Sequence, residues 1–395
     1  MREFTIVGGG VHGTYLLNRL SDEYDADELA VVDPGPRLLS TFRQRATVCG
    51  MSELRSPFVH HVGRDPFDLE TFAEASDRTD ELVPTEGYPP RPTLSLFLDH
   101  ADRVIERRGL HACHVRSRVT GIRSGEEGFV LETTGRNLRS RRVVLAVGHG
   151  PPAMPEWACS GVEHVWADTP GASVSSRTGP VAVDGGTSAG PEIVVGGGST
   201  AAQAALKHGV ETLLTRHPLR TAVPEADPPW VNWPHIERTL HGQPPGSRAR
   251  LDIVRAAKKS GTMRPALCEK LEASDVSIET GSVESAVPTG DGVALRLADG
   301  RVLEASSVGC ATGFLPARRR PFVERLAGEL GLERGYDGVA VLDDRTLEWR
   351  GSVDGIHVSG ELAEATVGPF AGNIIGARRA ADGILGGTVN ADSNA

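Results

Sequence analysis

Lysine is almost missing from this chain. Of its 42 Lys and Arg residues, only Lys207, Lys258, Lys259 and Lys270 are lysines, and the 52 Asp and Glu residues leave a formal net charge of -10. A surface of that sign argues against nucleic acid or an anionic membrane as the main partner. The five cysteines (Cys49, Cys113, Cys159, Cys268 and Cys310) include no Cys-x-x-Cys pair and no Cys/His cluster. That excludes a zinc-ribbon type site and a thioredoxin-type redox disulfide, and no metal is expected. No apolar run reaches the ~20 residues needed to span a bilayer. A secretory leader pattern is also missing, since the N-terminus enters a strand-forming run almost at once, and a reducing cytoplasm is the expected location. With 395 residues, the chain is too long for one ordinary core, so two domains are expected.

What is present begins with Phe4-Thr-Ile-Val-Gly-Gly-Gly-Val-His-Gly13. Residues that favour strand run into Gly8-x-Gly10-x-x-Gly13, and residues 14–20 continue as a helix. Asp33 follows at the end of Leu29-Ala-Val-Val-Asp33. Each part has a physical role in holding a dinucleotide. The first glycine makes the tight turn, the second admits a pyrophosphate to the backbone, and the third lets helix and strand pack closely. The helix N-terminus offers free N–H groups to the phosphates, and the acid accepts from a ribose hydroxyl. Strand, helix and acid at the right spacing supply the context that the bare glycine pattern lacks.

Residues 40–63, rich in Arg and His, read as loop with short helices, and 68–73 as a short helix. Residues 86–92 hold three prolines and are expected to be irregular. Helical spacing returns over 93–108. Between 110 and 147 the period falls to two, with strands expected at 111–115, 119–122, 129–133 and 143–147: a small meander leading into a final strand that ends at Gly148. Residues 168–190, rich in Gly, Ser, Thr and Pro, form the best linker candidate.

The opening design then recurs. Ile193-Val-Val-Gly-Gly-Gly-Ser-Thr-Ala201 contains Gly196-x-Gly198-x-x-Ala201 between a strand and a helix (201–208), and the next strand, 211–215, ends at Arg216 rather than at an acid. The Pro-rich stretch 222–247 carries Trp230 and Trp233, either as a lid or as anchors pinning a loop. Residues 247–273 read as helical and 276–308 as strand-rich, ending in Gly309-Cys-Ala-Thr-Gly-Phe314. A helix of small residues is expected over 374–384, with a frayed tail from 388.

Two dinucleotide folds suggest two nucleotides. Asp33 suits a free 2′-hydroxyl, as in FAD or NAD. Arg216 cannot accept from a hydroxyl but can pair with a 2′-phosphate, favouring NADP, with His217 and Arg220 able to share the role; the alternative is a solvated surface arginine. FAD in the first fold and NADPH in the second permit hydride transfer from nicotinamide to flavin. The fold class is therefore α/β, with two Rossmann-like (FAD/NAD(P)-binding) domains and β-meander excursions. Residues 1–167 and 301–395 would form a discontinuous FAD domain and 168–300 the NADP domain.

The order of FAD motif, Gly148 turn, NADP motif, Ala-Thr-Gly-Phe314 and C-terminal Gly360-Glu361 resembles the two-dinucleotide-domain flavoproteins. Within them, the chain resembles the lysine/ornithine N-monooxygenases, related to the flavin-containing monooxygenases. Cys310-Ala-Thr-Gly-Phe314 is similar to an Ala-Thr-Gly-Tyr segment of that group. Gly261-Thr-Met-Arg-Pro265 resembles a Gly-Thr-x-x-Pro segment, and Gly368-Pro-Phe-Ala-Gly-Asn373 stands where the group closes its flavin site. The resemblance implies an FAD- and NADPH-dependent monooxygenase, in which O2 adds at flavin C4a and the hydroperoxide passes oxygen to a small nucleophile such as an amine. The alternatives are an NAD(P)H oxidoreductase feeding a quinone or carrier protein, and a flavin-binding protein without turnover. A small-molecule substrate and O2 would be the partners, with an oligomer possible.

The expected cofactor contacts are Gly8, Gly10, Gly13 and Asp33 in the first motif, Gly196, Gly198, Ser199, Thr200 and Arg216 in the second, and Gly148, Thr312, Gly313, Gly360, Glu361 and Asn373. Catalytic candidates come from Met51-Ser-Glu-Leu-Arg-Ser-Pro57. They are Met51 and Arg55, the latter either stabilising reduced flavin or ion-paired with Glu53 or Asp65. His60 and His61 are expected to be structural or surface residues, not catalytic ones.

Overall fold

The computed structural model describes residues 1–167 and 190–392. The linker expected over 168–190 falls, but for Gly190, outside the described residues. The apolar run Arg2–Val7 is an inner strand of a seven-stranded sheet. It lies parallel to Leu29–Asp33 on one side and to Leu138–Leu145 on the other, with Phe4 opposite Leu29 and Thr5 opposite Val143. Unbroken apolar runs are what parallel strands covered on both faces require. One covering layer holds the opening helix Val11–Leu20 and the C-terminal helix Ile374–Asp392, with Leu16, Leu17, Ala377 and Ile384 in one core. The helix thus runs through the expected tail to Asp392.

Strand Leu138–Leu145 changes partner along its length. Its first residues pair antiparallel with Gly128–Thr133, while Val143, Val144 and Leu145 pair in parallel with Ile356–Val358. The meander therefore peels away from this strand, and a strand from near the C-terminus takes its place beside Val143–Leu145.

A second, five-stranded parallel sheet has the order Ser277–Thr280, Thr212–Thr215, Ile193–Val195, Val308–Cys310, Val162–His164. An antiparallel sheet of Val283–Pro288, Val293–Leu297 and Val302–Ala305 packs Val293, Leu295 and Leu297 against Val195 and Leu214. Strands Val162–His164, Val302–Ala305 and Val308–Cys310 thus belong with the second glycine motif, although the expected boundaries placed them with the first. Among the described residues, no helix is long and apolar enough to cross a membrane.

Three local readings are corrected. The stretch 86–92 is not irregular: Leu82–Thr85 and Tyr88–Pro92 form a two-stranded ribbon. Proline lacks only its N–H, and here Pro90 and Pro92 are used through their carbonyls, which accept from Phe58 and Leu54. Within 40–63, Ser40–Cys49 is a ten-residue helix. The region 247–273 is two helices, Arg248–Ala257 and Pro265–Glu272, because Gly261 adopts φ +66° and Pro265 starts the second.

Helix Leu94–Arg107 is capped by Thr93, whose Oγ1 accepts from Leu96 N at 3.1 Å. Thr93→Ala is expected to cost about 1 kcal/mol, read as a lowered Tm. An unchanged melting curve would mean that solvent replaces the cap.

Candidate functional site

The first glycine turn is built by exclusion. Gly8 has φ +111°, and a Cβ there would lie 2.4 Å from the Ala146 carbonyl oxygen; at Gly13 it would lie 1.9 Å from that of Gly8. Both glycines are therefore required by backbone packing. At Gly10 a Cβ would meet nothing within 4 Å. That open space borders the start of helix Val11–Leu20, whose first N–H groups have no side-chain cap. A pyrophosphate fits this arrangement, with free donors at a positive helix end and no side chain in the way. Asp33 does more than the motif implies: its Oδ2 accepts from Gly9 N and its Oδ1 from Gly35 N, both at 2.8 Å. The carboxylate braces the turn and stays half-buried at the strand end.

The second turn has the same construction. Gly196 has φ +153°, and a Cβ there would be 2.6 Å from the Ala311 carbonyl oxygen. Gly198 starts helix Ser199–His208 without a side-chain cap; Ser199 Oγ donates to the Thr262 carbonyl at 3.3 Å, and Thr200 is half-buried beside it. Arg216 leaves the end of strand Thr212–Thr215 exposed, without an ion pair among the described residues. A cavity of about 640 Å³ opens nearby between Arg220, Lys258, Lys259, Ser260 and Thr262, and Gly261 lies against Gly198. The basic residues there suit a phosphorylated ligand.

The two turns meet through the chains that leave each sheet. Ala153 N donates to the Gly313 carbonyl at 2.9 Å, Leu315 N to that of Pro151 at 2.8 Å, and Thr312 Oγ1 to that of Ala153 at 2.5 Å. A Cβ on Gly150 would be 2.1 Å from the Leu315 carbonyl oxygen, so glycine is needed for this approach. Gly148 (φ +72°) and Gly313 (φ +86°) flank the crossing with open space beside them. A ring stack reinforces it. Phe314 lies parallel to His149 at 5.1 Å and to Trp166 at 5.0 Å, with the Arg45 guanidinium 4.8 Å from its centroid. His149 Nδ1 lies 3.1 Å from Glu361 Oε2, so Glu361 is tied to this stack. Gly360, with φ +81°, faces the His12 ring.

Arg55, one of the two catalytic candidates, is held by backbone acceptors of a distant loop. Its guanidinium donates to the carbonyls of Ala222, Val223 and Thr262 and to Thr262 Oγ1, at 2.9 to 3.3 Å, with Glu225 at 3.7 Å. It pairs with neither Glu53 nor Asp65; Glu53 binds Arg264. Burial lowers the Arg55 pKa, but the carbonyl cage compensates the cation. Met51 is half-buried just after the Ser40–Cys49 helix, its N–H donating to the Ala46 carbonyl at 2.9 Å. Among the described residues, its side chain makes no hydrogen bond or ion pair.

Trp230 is no lid. It is buried with Ala226, Ile236 and Phe370 and lies against Gly368, while Trp233 donates to Glu237 at 3.0 Å. Asn373 Nδ2 donates to Glu225 Oε2 at 2.7 Å, joining the C-terminal segment to the second unit. His61 is fully buried, accepts from Gly63 N at 3.0 Å, and is held neutral by burial with its pKa near 3, which makes it structural. Sequence reasoning missed His12, His149 and Glu225. His12 occupies a variable position of the glycine motif; His149 follows Gly148 directly, which was the one available signal.

Two glycine turns, each at the end of a parallel strand in its own sheet and joined by crossing chains, give the fold of the two-dinucleotide-domain flavoproteins. A family profile described as FAD-NAD(P)-binding matches residues 5–150. Over its whole length the chain is similar to the ornithine N-hydroxylase of Kutzneria sp. 744, solved with reduced FAD, NADP+ and L-ornithine. The TM-score is 0.77 at 16% identity, covering 99% of this chain and 100% of that one. The ornithine hydroxylase of Pseudomonas aeruginosa gives 0.71 at 18% identity, with 99% of each chain covered. For the L-lysine 6-monooxygenase of Pseudomonas syringae the TM-score is 0.69 at 16% identity, covering 98% of this chain and 99% of that one. No curated protein matches by sequence.

Proposed function

We propose that this chain is an FAD- and NADPH-dependent monooxygenase that transfers oxygen to a small nucleophile, foremost an amine. The reading is carried by one observation: the two joined glycine turns lead to opposite charges, Asp33 on the first and, on the second, an Arg216 without an ion pair among the described residues. The whole-chain likeness in fold to N-hydroxylating enzymes supports it.

In this reading Gly8, Gly10, Gly13, Asp33, Gly148, Gly360, Glu361 and Asn373 hold FAD. Gly196, Gly198, Ser199, Thr200, Arg216, Thr312 and Gly313 hold NADPH. The chemistry supplied by the pair, when bound, is hydride transfer from NADPH to FAD followed by transfer of one oxygen atom of O2 to the substrate. The protein's part is to orient and to exclude water. Arg55 and Asn373 each tie a flavin-side segment to the 222–225 loop. His149 and Phe314 close the seam from the other side.

The balance is one NADPH, one proton, one O2 and one amine giving a hydroxylamine, NADP+ and water. The test is NADPH consumption in air over lysine, ornithine, diamines and thioethers, with hydroxylated product quantified. Product equal to NADPH consumed with one substrate is the expected result. Rapid quinone reduction with no oxygenated product would replace this reading by electron transfer to a quinone or carrier protein. No NADPH oxidation with any acceptor would point to a flavin-binding protein without turnover.

A further inference from the structure

Two of the four lysines in the chain are adjacent, and the fold brings both to one cavity. Lys258 and Lys259 follow helix Arg248–Ala257 and, with Arg220 and Arg255, line the opening of about 640 Å³. None of the residues assigned to the coenzymes stands in its wall, and neither does Gly261, the residue that lies against Gly198. The lining is thus distinct from that of the second nucleotide seat, although the two are neighbours.

In a chain of formal net charge -10, the charge here is reversed. Lys258 meets Glu364 at 2.6 Å, but Arg318 takes the other oxygen of that carboxylate. Arg255 shares Asp337 with Arg318 and Arg319, and Arg319 also reaches Glu324 at 3.7 Å. Arg220 has no carboxylate partner among the described residues; it donates to the Ser260 carbonyl at 3.0 Å. The cations around the cavity therefore outnumber the carboxylates that neutralise them. Lys259 meets Asp227 at 2.7 Å, and that aspartate side chain is 68% exposed. An exposed ion pair is weak, so a doubly charged anion can replace Asp227 at little cost. The exposed Thr221 and Ser260 add hydroxyl groups to the wall, and the Ser260 N–H donates to no carbonyl among the described residues.

These donors exceed what one carboxylate can use. A phosphate group, with close to two charges and three acceptor oxygens, matches them. We infer that this cavity is a phosphate-binding site for a small phosphorylated molecule other than the coenzyme at Gly198. Through Glu364 and Asp337, which belong to the first unit, its occupant sits at the seam between the two units. The site goes beyond the coenzyme contacts proposed above and holds whichever reaction the flavin serves.

The test is calorimetric titration of the flavin-loaded protein with inorganic pyrophosphate at fixed ionic strength, without and with saturating NADP+. The variants are Lys259→Glu and Arg255→Glu. Arg139→Glu is the control, because Arg139 is exposed on the first sheet outside the cavity and its reversal changes the net charge equally. Binding of pyrophosphate that persists under NADP+ is the expected result. Each cavity variant is expected to raise its Kd about tenfold or more, and the control less than about twofold. If the reversals do not fold, Lys259→Gln and Arg255→Gln decide, with a loss of about threefold or more expected and an unchanged Kd overturning the inference. Displacement of pyrophosphate by NADP+ would also overturn it, and would give the cavity to the coenzyme's own 2′-phosphate. So would no binding at millimolar pyrophosphate, or an equal loss in all three variants. Protein that binds pyrophosphate through Lys259 and Arg255 but binds no NADP+ would refute the coenzyme reading and leave the phosphate site standing.

Discussion

Replacing Gly13 by alanine is expected to abolish the folded, flavin-binding protein. The added Cβ would sit 1.9 Å from the Gly8 carbonyl oxygen and 3.0 Å from its carbon. Both atoms are backbone, and Gly8 is itself wedged at 2.4 Å against the Ala146 oxygen by the same criterion. Relief would require the opening helix to lift off the sheet, breaking the core of Phe4, Leu16, Leu17 and Val144. Such a loss exceeds the ~4–5 kcal/mol reserved for severe substitutions and rivals the stability of a domain.

Gly10→Ala is the informative partner. Its Cβ meets nothing, and its φ of -74° suits any residue. It is expected to fold and melt like the parent yet bind FAD more weakly, because a methyl group would stand over the helix-end amides. Thermal melts and FAD titrations of both variants check this. A Gly13→Ala protein that melts within a few degrees of the parent would contradict the packing argument. A Gly10→Ala protein with unchanged FAD affinity would place the pyrophosphate elsewhere.

Arg216→Ala is expected to lower kcat/KM for NADPH by about tenfold to a hundredfold, the ~1.5–3 kcal/mol of charge-assisted hydrogen bonds, and to leave NADH nearly unaffected. The side chain is exposed and has no ion pair among the described residues, so the change tests ligand recognition with little cost to stability. Arg220 and Lys259 line the adjoining cavity and would retain part of the attraction, which keeps the expected loss below that of removing every cation. Steady-state kinetics with both coenzymes decide it. A preference for NADPH that survives intact would move the 2′-phosphate away from Arg216, with the Arg220 cavity as its next location.

What could be read from the sequence was local. The two strand–turn–helix units carry their own glycines, and their second strands, Leu29–Asp33 and Thr212–Thr215, follow within a short stretch of chain. The helix Leu94–Arg107 was legible for the same reason, from its apolar spacing. Long-range pairing was not. Nothing near Ile356–Val358 signals that it completes the first sheet beside Val143–Leu145, because that depends on where the meander leaves. The proline-bearing ribbon was misread because proline was counted as a breaker, when only its missing N–H matters.

The site divides in the same way. Gly13 and Asp33 have near-sequence reasons to be what they are, whereas Gly8 and Gly196 carry a local motif whose steric reason lies at the distant Ala146 and Ala311 carbonyls. Arg55 was legible as an important arginine but not in its role, since its acceptors lie at residues 222, 223 and 262. The His12 side chain depends on Ser359 and Gly360, at the opposite end of the chain.

The crossing of residues 150–153 with 312–315 has a mechanical consequence. Three hydrogen bonds and a glycine-permitted backbone contact rivet these outgoing chains into a single pin, set between the ends of the two sheets. The crossing is not alone: Lys207 to the Thr47 carbonyl, Arg250 to Asp344, Lys258 to Glu364, and the bonds from Arg55 and Asn373 to the 222–225 loop also span the two units. The two glycine turns are therefore held at a set spacing by ties from several parts of the chain, so that losing any one of them leaves the others in place.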